Sequence, residues 1–185
     1  MTAQDHLDTK NKHRLTVDEF LLLDREGAFG ERSAELFNGE VYYMSPKHRP
    51  HARTVTHLVI ALARALEASG SNLSVLTDIS VRISDHDVPE PDIVVTDAPE
   101  GDGILPLESV KLLIEVSDST LANDMGLKAE LYAGAGVPEY WVVDVAGQVI
   151  HQMWSPNGME YGERTETKIN DDRFLVASPT LTWLK

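Results

Sequence analysis

Asp92 and Glu115 are acids set against apolar sequence. Asp92 directly precedes Ile93, Val94 and Val95, and Glu115 lies in the run Leu112 to Val116. If the two segments are paired strands, one carboxylate from each converges on a shared face. Within the second strand, Leu113, Glu115 and Ser117 point one way, and Ile114 and Val116 the other. Two carboxylates close together repel, and one pKa rises unless a cation neutralises them. A hard divalent ion such as Mg²⁺ is typically held by one or two carboxylates. Further on, Asp124, Lys128 and Tyr132 recur at i, i+4 and i+8 and share one helix face. Leu127 and Leu131 flank that face, so Lys128 can turn a partly buried ammonium toward the carboxylates. There it would orient an attacking water or stabilise charge developing on a phosphate.

Each residue also has an ordinary explanation. Asp92, after Pro91, can simply open a strand, and Glu115 can end one against a lysine. Asp124 and Lys128 can form an exposed pair worth about 0.3–0.5 kcal/mol. The joint placement of all three favours a site.

The elements that must position these groups are legible from pattern. Thr16-Val17-Asp18-Glu19 is a capping box opening a short helix that ends near Gly27. Asn38-Gly39 between Ala34–Phe37 and Glu40–Met44 predicts a β-hairpin. Val55, Leu58, Val59, Leu62, Ala65 and Leu66 keep helical spacing, which predicts a long helix from about His51 to Ser69, closed by Gly70. Leu73 to Ile83 reads as a strand, 93–95 as a buried strand, and 97–109 as an exposed loop. Val110 to Val116 is an apolar strand, about Thr120 to Ala135 a second helix, and Glu139 to Val145 a strand partnered by Gln148 to Trp154. Weaker strands are expected around Tyr161 and Phe174. The expected fold is α/β (α+β), a mixed sheet flanked by helices. Residues 1–14 are expected to be a flexible N-terminal segment, and 15–185 a single domain.

The 185 residues, 42% of them hydrophobic, suit one compact core. With no cysteine, disulfides, thiolate metal sites and cysteine nucleophiles are excluded, and a reducing cytosol is compatible. No apolar run approaches the roughly 20 residues of a membrane span. The polar start, Met1 to Arg14, lacks the apolar region of a signal peptide. A soluble, cytoplasmic protein is expected. The net charge of −14 is unusual for a nucleic-acid binder, so any phosphate-binding patch must be local. Lys47, His48, Arg49, His51 and Arg53 form the best candidate.

Several segments, in order, resemble the Uma-type restriction-endonuclease family of the PD-(D/E)XK nuclease superfamily. They are Glu35-Leu36-Phe37-Asn38-Gly39-Glu40, Pro91-Asp92, Leu113-Ile114-Glu115-Val116-Ser117, Ser119-Thr120, Asp124 with Lys128 and Tyr132, and Gly136-Val137-Pro138-Glu139-Tyr140-Trp141-Val142-Val143-Asp144. The resemblance spans about residues 15 to 180. It implies a restriction-endonuclease-like sheet and a metal-dependent phosphodiesterase. Asp92 and Glu115 would bind Mg²⁺ (Mn²⁺ as a substitute), aided by the backbone carbonyl of Val116. Ser117 stands where the superfamily usually has its lysine, and Lys128 from the next helix would replace it. Glu35 matches an acid on the early hairpin near the site, and His51 a histidine that opens the long helix. Tyr140 and Trp141 read as sheet packing rather than a base-stacking platform.

The expected activity is hydrolysis of a nucleic-acid phosphodiester, with DNA as the expected partner and a homodimer suited to cutting both strands of a duplex. The rival is a degenerate nuclease fold kept as a binding or regulatory module, which the acidic composition favours. A carboxylate-pair glycosidase ranks last, because it gives Lys128 no role.

Overall fold

A computed structural model of the chain describes residues 12–169. Helix α1 (Val17–Arg25) starts with both halves of its capping box formed: the Thr16 hydroxyl accepts from Glu19 N–H, and the Glu19 carboxylate accepts from Thr16 N–H. Strands β1 (Ala34–Phe37) and β2 (Glu40–Tyr43) pair antiparallel around Asn38-Gly39. Both turn residues have positive φ, 52° and 75°, which the tight hairpin turn requires. Gly39 is also needed for space, since a Cβ there would lie 2.6 Å from Cβ of Arg14. Residues 12–14 of the expected flexible segment lie against this hairpin: Lys12 pairs with Glu40, and Arg14 Nε donates to Asn38 O at 2.9 Å. The rest of that segment lies outside the described residues.

Helix α2 (Arg49–Ser69) begins two residues before its expected start, with Pro50 in its first turn, where a missing N–H costs nothing. It ends as expected at left-handed Gly70. The expected strand from Leu73 to Ile83 is in fact two, β3 (Ser74–Thr77) and β4 (Val81–Arg82), because Asp78 between them takes φ +50° and breaks the extended backbone. Strand β5 (Ile93–Thr96) follows. The expected loop 97–109 contains a two-residue strand, β6 (Leu105–Pro106), parallel to β4, and a 3₁₀ turn (Leu107–Ser109). Strand β7 (Val110–Ser117) leads into the segment read as one helix. That segment has three parts: α3 (Leu121–Asn123), a π-helical turn (Asp124–Lys128) and α4 (Ala129–Gly134). Strands β8 (Glu139–Asp144), β9 (Val149–Asn157) and β10 (Glu160–Lys168) follow, and the strand expected around Phe174 lies outside the described residues.

Six strands form one mixed sheet in the order β10-β9-β8-β7-β5-β3, in which only β7 and β8 run parallel. A parallel neighbour needs a crossover, and the helical segment 121–134 supplies it. The two faces of β7 sort cleanly. Leu112, Ile114 and Val116 pack with Leu58, Leu62 and Leu66 of α2, whereas Leu113 packs with Tyr132 and Tyr140 on the other side. A third cluster, Val17, Phe20, Phe29, Leu36 and Val88, fixes α1 and the hairpin beside the sheet. The fold is thus the expected mixed sheet flanked by helices. Glu115 falls on the same face as Leu113, the one that α4 covers.

Candidate active site

Continuing the β5–β7 register, in which Ile93 faces Ile114, by one residue sets Asp92 across from Glu115. Asp92 is buried. Its Oδ2 accepts from Val116 N–H at 2.7 Å and lies 3.0 Å from His51 Nε2, and its Oδ1 lies 3.0 Å from Lys47 Nζ. Burial alone would raise this carboxyl. The hydrogen bonds from His51 and Val116 and the charges of His51 and Lys47 outweigh it, holding Asp92 below its ordinary value. Asp92 is therefore ionised at neutral pH. Lys47 is shared, since it also pairs with Asp78.

Glu115 is buried as well. Its Oε1 accepts from Lys128 Nζ at 2.9 Å and from Tyr132 Oη at 3.0 Å. Both contacts fall on Oε1, which leaves Oε2 for the cavity. Burial pushes the Glu115 carboxyl up to about 8. Lys128 opposes this, while Asp92, Asp124 and Glu35 add repulsion. Lys128 also reaches Glu35 Oε1 at 3.3 Å, and Glu35 Oε1 is fixed by Glu90 N–H at 2.9 Å. Burial would lower the Lys128 ammonium, but the charges of Glu115 and Glu35 hold it above its ordinary value. One ammonium thus serves two buried carboxylates, and it stays protonated.

Lys128 gets there through the π turn. In that turn Asp124 and Lys128 are both buried, whereas Leu127 between them is exposed. Asp124 Oδ2 accepts from Ser117 Oγ at 2.5 Å and Thr120 Oγ1 at 2.6 Å, and its backbone carbonyl accepts from Tyr140 Oη at 3.0 Å. Asp124 therefore ties the wide turn to the end of β7 and to β8. Ser117 anchors the turn that carries Lys128. A π turn inside a helix often marks a functional position. Sequence periodicity alone could not reveal this one, because i, i+4 spacing reads the same in either helix.

Glu35, Asp92, Glu115, Val116 and Lys128 all line one cavity of about 550 Å³, together with Lys47, His51 and Asp124. The five residues singled out from sequence are therefore brought together. Sequence reasoning set Lys47 only among basic loop residues and gave His51 no partner, yet both touch Asp92. Their signal was present: Lys47 and His51 stand four residues apart at the entry to α2. Tyr140 and Trp141 are fully buried, as expected for sheet packing.

The donor set suits a hard cation. Asp92 and Glu115 offer carboxylate oxygens at the cavity floor, and the repulsion on Glu115 is what a bound cation relieves. Among the described residues no three Asp, Glu or His side chains form a ready-made cage.

Comparison with known proteins bears on the family and the fold. A family model described as "Putative restriction endonuclease" (Uma2) matches residues 17–184. The fold is similar to that of a solved structure from Anabaena variabilis, described as a "putative nuclease belonging to DUF820". The two share 18% sequence identity, with a TM-score of 0.62 over 83% of this chain and 84% of the other. No curated protein matches the chain. With its family model covering nearly the whole sequence, the chain belongs to the Uma2 restriction-endonuclease family.

Proposed function

We propose that the chain is a metal-dependent endonuclease that hydrolyses phosphodiester bonds of nucleic acid, with DNA as its substrate. The observation that supports this most is the meeting of Lys128 with Glu115 at 2.9 Å in the cavity that Asp92 also lines. Mg²⁺ or Mn²⁺ held by Asp92 and Glu115, with the Val116 backbone alongside, would supply positive charge at the scissile phosphate and a lowered pKa for the attacking water. Lys128 is no base, since its neighbours hold the ammonium above its ordinary value. It donates hydrogen bonds, orienting the water and stabilising charge on the phosphoryl oxygens. Glu35 holds Lys128 from the far side, and Tyr132 fixes the Glu115 carboxylate from below. Asp92, already ionised, needs no proton loss before a cation arrives.

The acidic composition favours a second reading, a fold that binds without cutting. One pair of measurements separates the two. Cleavage of DNA and RNA is assayed with Mg²⁺, with Mn²⁺ and with EDTA, and Mg²⁺ is titrated calorimetrically into wild type and Glu115→Gln. A nuclease cuts only with metal and loses metal affinity in the variant. Absence of metal binding together with intact nucleic acid would leave the binding module standing.

A further inference from the structure

Three donors reach the Asp92 carboxylate, and they differ in how firmly they are held. Val116 N–H belongs to the backbone of β7 and cannot leave. His51 is buried on α2, and because an ionised carboxylate can only accept, its Nε2 is the donor of the 3.0 Å contact. Both fall on Oδ2 and fill the two lone pairs of that oxygen. Oδ1 is the oxygen left for a cation, and Lys47 Nζ lies 3.0 Å from it.

The two lysines of the site are not equivalent. Lys128 is carried by a helical turn, its side chain is 8% exposed, and both of its carboxylate partners line the cavity. Moving it would strand two buried charges. Lys47 comes from the irregular stretch between β2 and α2, and its side chain is 32% exposed. Its second partner, Asp78, is 55% exposed and lines a neighbouring cavity of about 400 Å³, which Lys47 lines as well. Lys47 can therefore leave Asp92 without losing every counter-charge, and there is space on the Asp78 side to receive it. A divalent ion and an ammonium on one carboxylate oxygen repel each other at close range, which drives the exchange.

We propose that Lys47 is the exchangeable counter-ion of Asp92: it competes with the divalent cation for Oδ1 and, once released, binds a phosphate of the nucleic acid. The inference rests on the nuclease reading and adds a residue to which that reading gives no role. It couples metal and substrate uptake, because the cation frees the ammonium that the substrate then uses.

The test is calorimetric Mg²⁺ titration of the full chain above pH 8, where Glu115 is ionised. Beside it, binding of a labelled DNA duplex is followed by fluorescence anisotropy in EDTA and in Ca²⁺, and cleavage is assayed with Mg²⁺. Lys47→Met is expected to bind Mg²⁺ roughly tenfold more tightly, the worth of one charge-assisted hydrogen bond that no longer has to be broken. Lys47→Arg keeps the charge and should bind Mg²⁺ like wild type. For DNA, Lys47→Met should stay near wild type in EDTA and lose roughly tenfold in Ca²⁺, because only a released ammonium reaches the phosphate. Asp78→Asn suits the left-handed backbone of that position and removes the outer partner of Lys47. It should weaken Mg²⁺ binding in the wild-type background and change little in Lys47→Met.

A merely structural lysine would lower Mg²⁺ affinity when replaced, so equal or weaker binding by Lys47→Met would overturn the competition. DNA affinity in Ca²⁺ that Lys47→Met leaves unchanged would overturn the phosphate contact. Either result, in a wild type that cuts, leaves the nuclease reading intact. The expected changes in a wild type that never cuts would keep the exchange and sink the nuclease reading. A wild type that takes up no Mg²⁺ would end both.

Discussion

Lys128 and Glu115, 13 residues apart and on different elements, meet at 2.9 Å with both side chains buried. The same ammonium stands 3.3 Å from Glu35, a residue from the other side of the cavity. Removing one partner of a buried pair leaves charge without compensation, which costs about 3–5 kcal/mol. At about pH 9, where Glu115 is ionised, Lys128→Met is therefore expected to lose stability on that scale, and it should abolish cleavage. Adding Glu115→Gln to it should recover part of the stability and none of the activity. Urea denaturation of the single and double variants measures this. A double variant less stable than Lys128→Met would contradict the shared-ammonium geometry.

Asp124 is expected to behave differently, because it hydrogen-bonds the turn and not Asp92 or Glu115. Asp124→Ala removes the acceptor of the buried Ser117 hydroxyl and of the exposed Thr120 hydroxyl, at a cost of about 1–3 kcal/mol, mostly from Ser117. It should also loosen the π turn and lower kcat, leaving Mg²⁺ affinity near that of wild type. Metal titration alongside single-turnover cleavage distinguishes this from a general collapse of the site.

Metal binding should depend on pH in a definite direction. The Glu115 carboxyl is raised from 4.5 to about 8. Its protonated form therefore stabilises the fold fully below about 4.5, and that contribution is lost as pH climbs through about 8. A cation binds the ionised form, so below pH 8 it must displace a proton. Apparent Mg²⁺ affinity is expected to climb from pH 6 to pH 8 and then level off. The gain in Tm on adding Mg²⁺ should grow over the same window. Calorimetry in buffers of different ionisation enthalpy reads the released proton, and flat affinity across the window would exclude Glu115 as the titrating ligand.

Tyr132→Phe offers a gentler probe of the same carboxylate. The Tyr132 hydroxyl donates to Glu115 Oε1, which favours the ionised form. Without it the Glu115 pKa should rise further, moving the pH dependence of Mg²⁺ affinity to higher pH with little change in affinity well above pH 8. A shift to lower pH would contradict the donor role assigned to Tyr132.

Local signals in the chain carried much of this. The Thr16–Glu19 cap, the Asn38-Gly39 turn and the Gly70 stop were readable because each depends on a few adjacent residues. Alternation put Glu115 on the face opposite Ile114 and Val116, and helical spacing put Asp124, Lys128 and Tyr132 together. Tertiary structure alone decided the rest. It broke the strand at Asp78, widened the helix at Asp124–Lys128, and set Lys47 and His51 against Asp92. The physical reason is range. Caps, turns and periodicities are fixed by neighbours in sequence, whereas a carboxylate's ionisation and a lysine's direction are fixed by groups 13 to 93 positions away that only packing brings within hydrogen-bond distance.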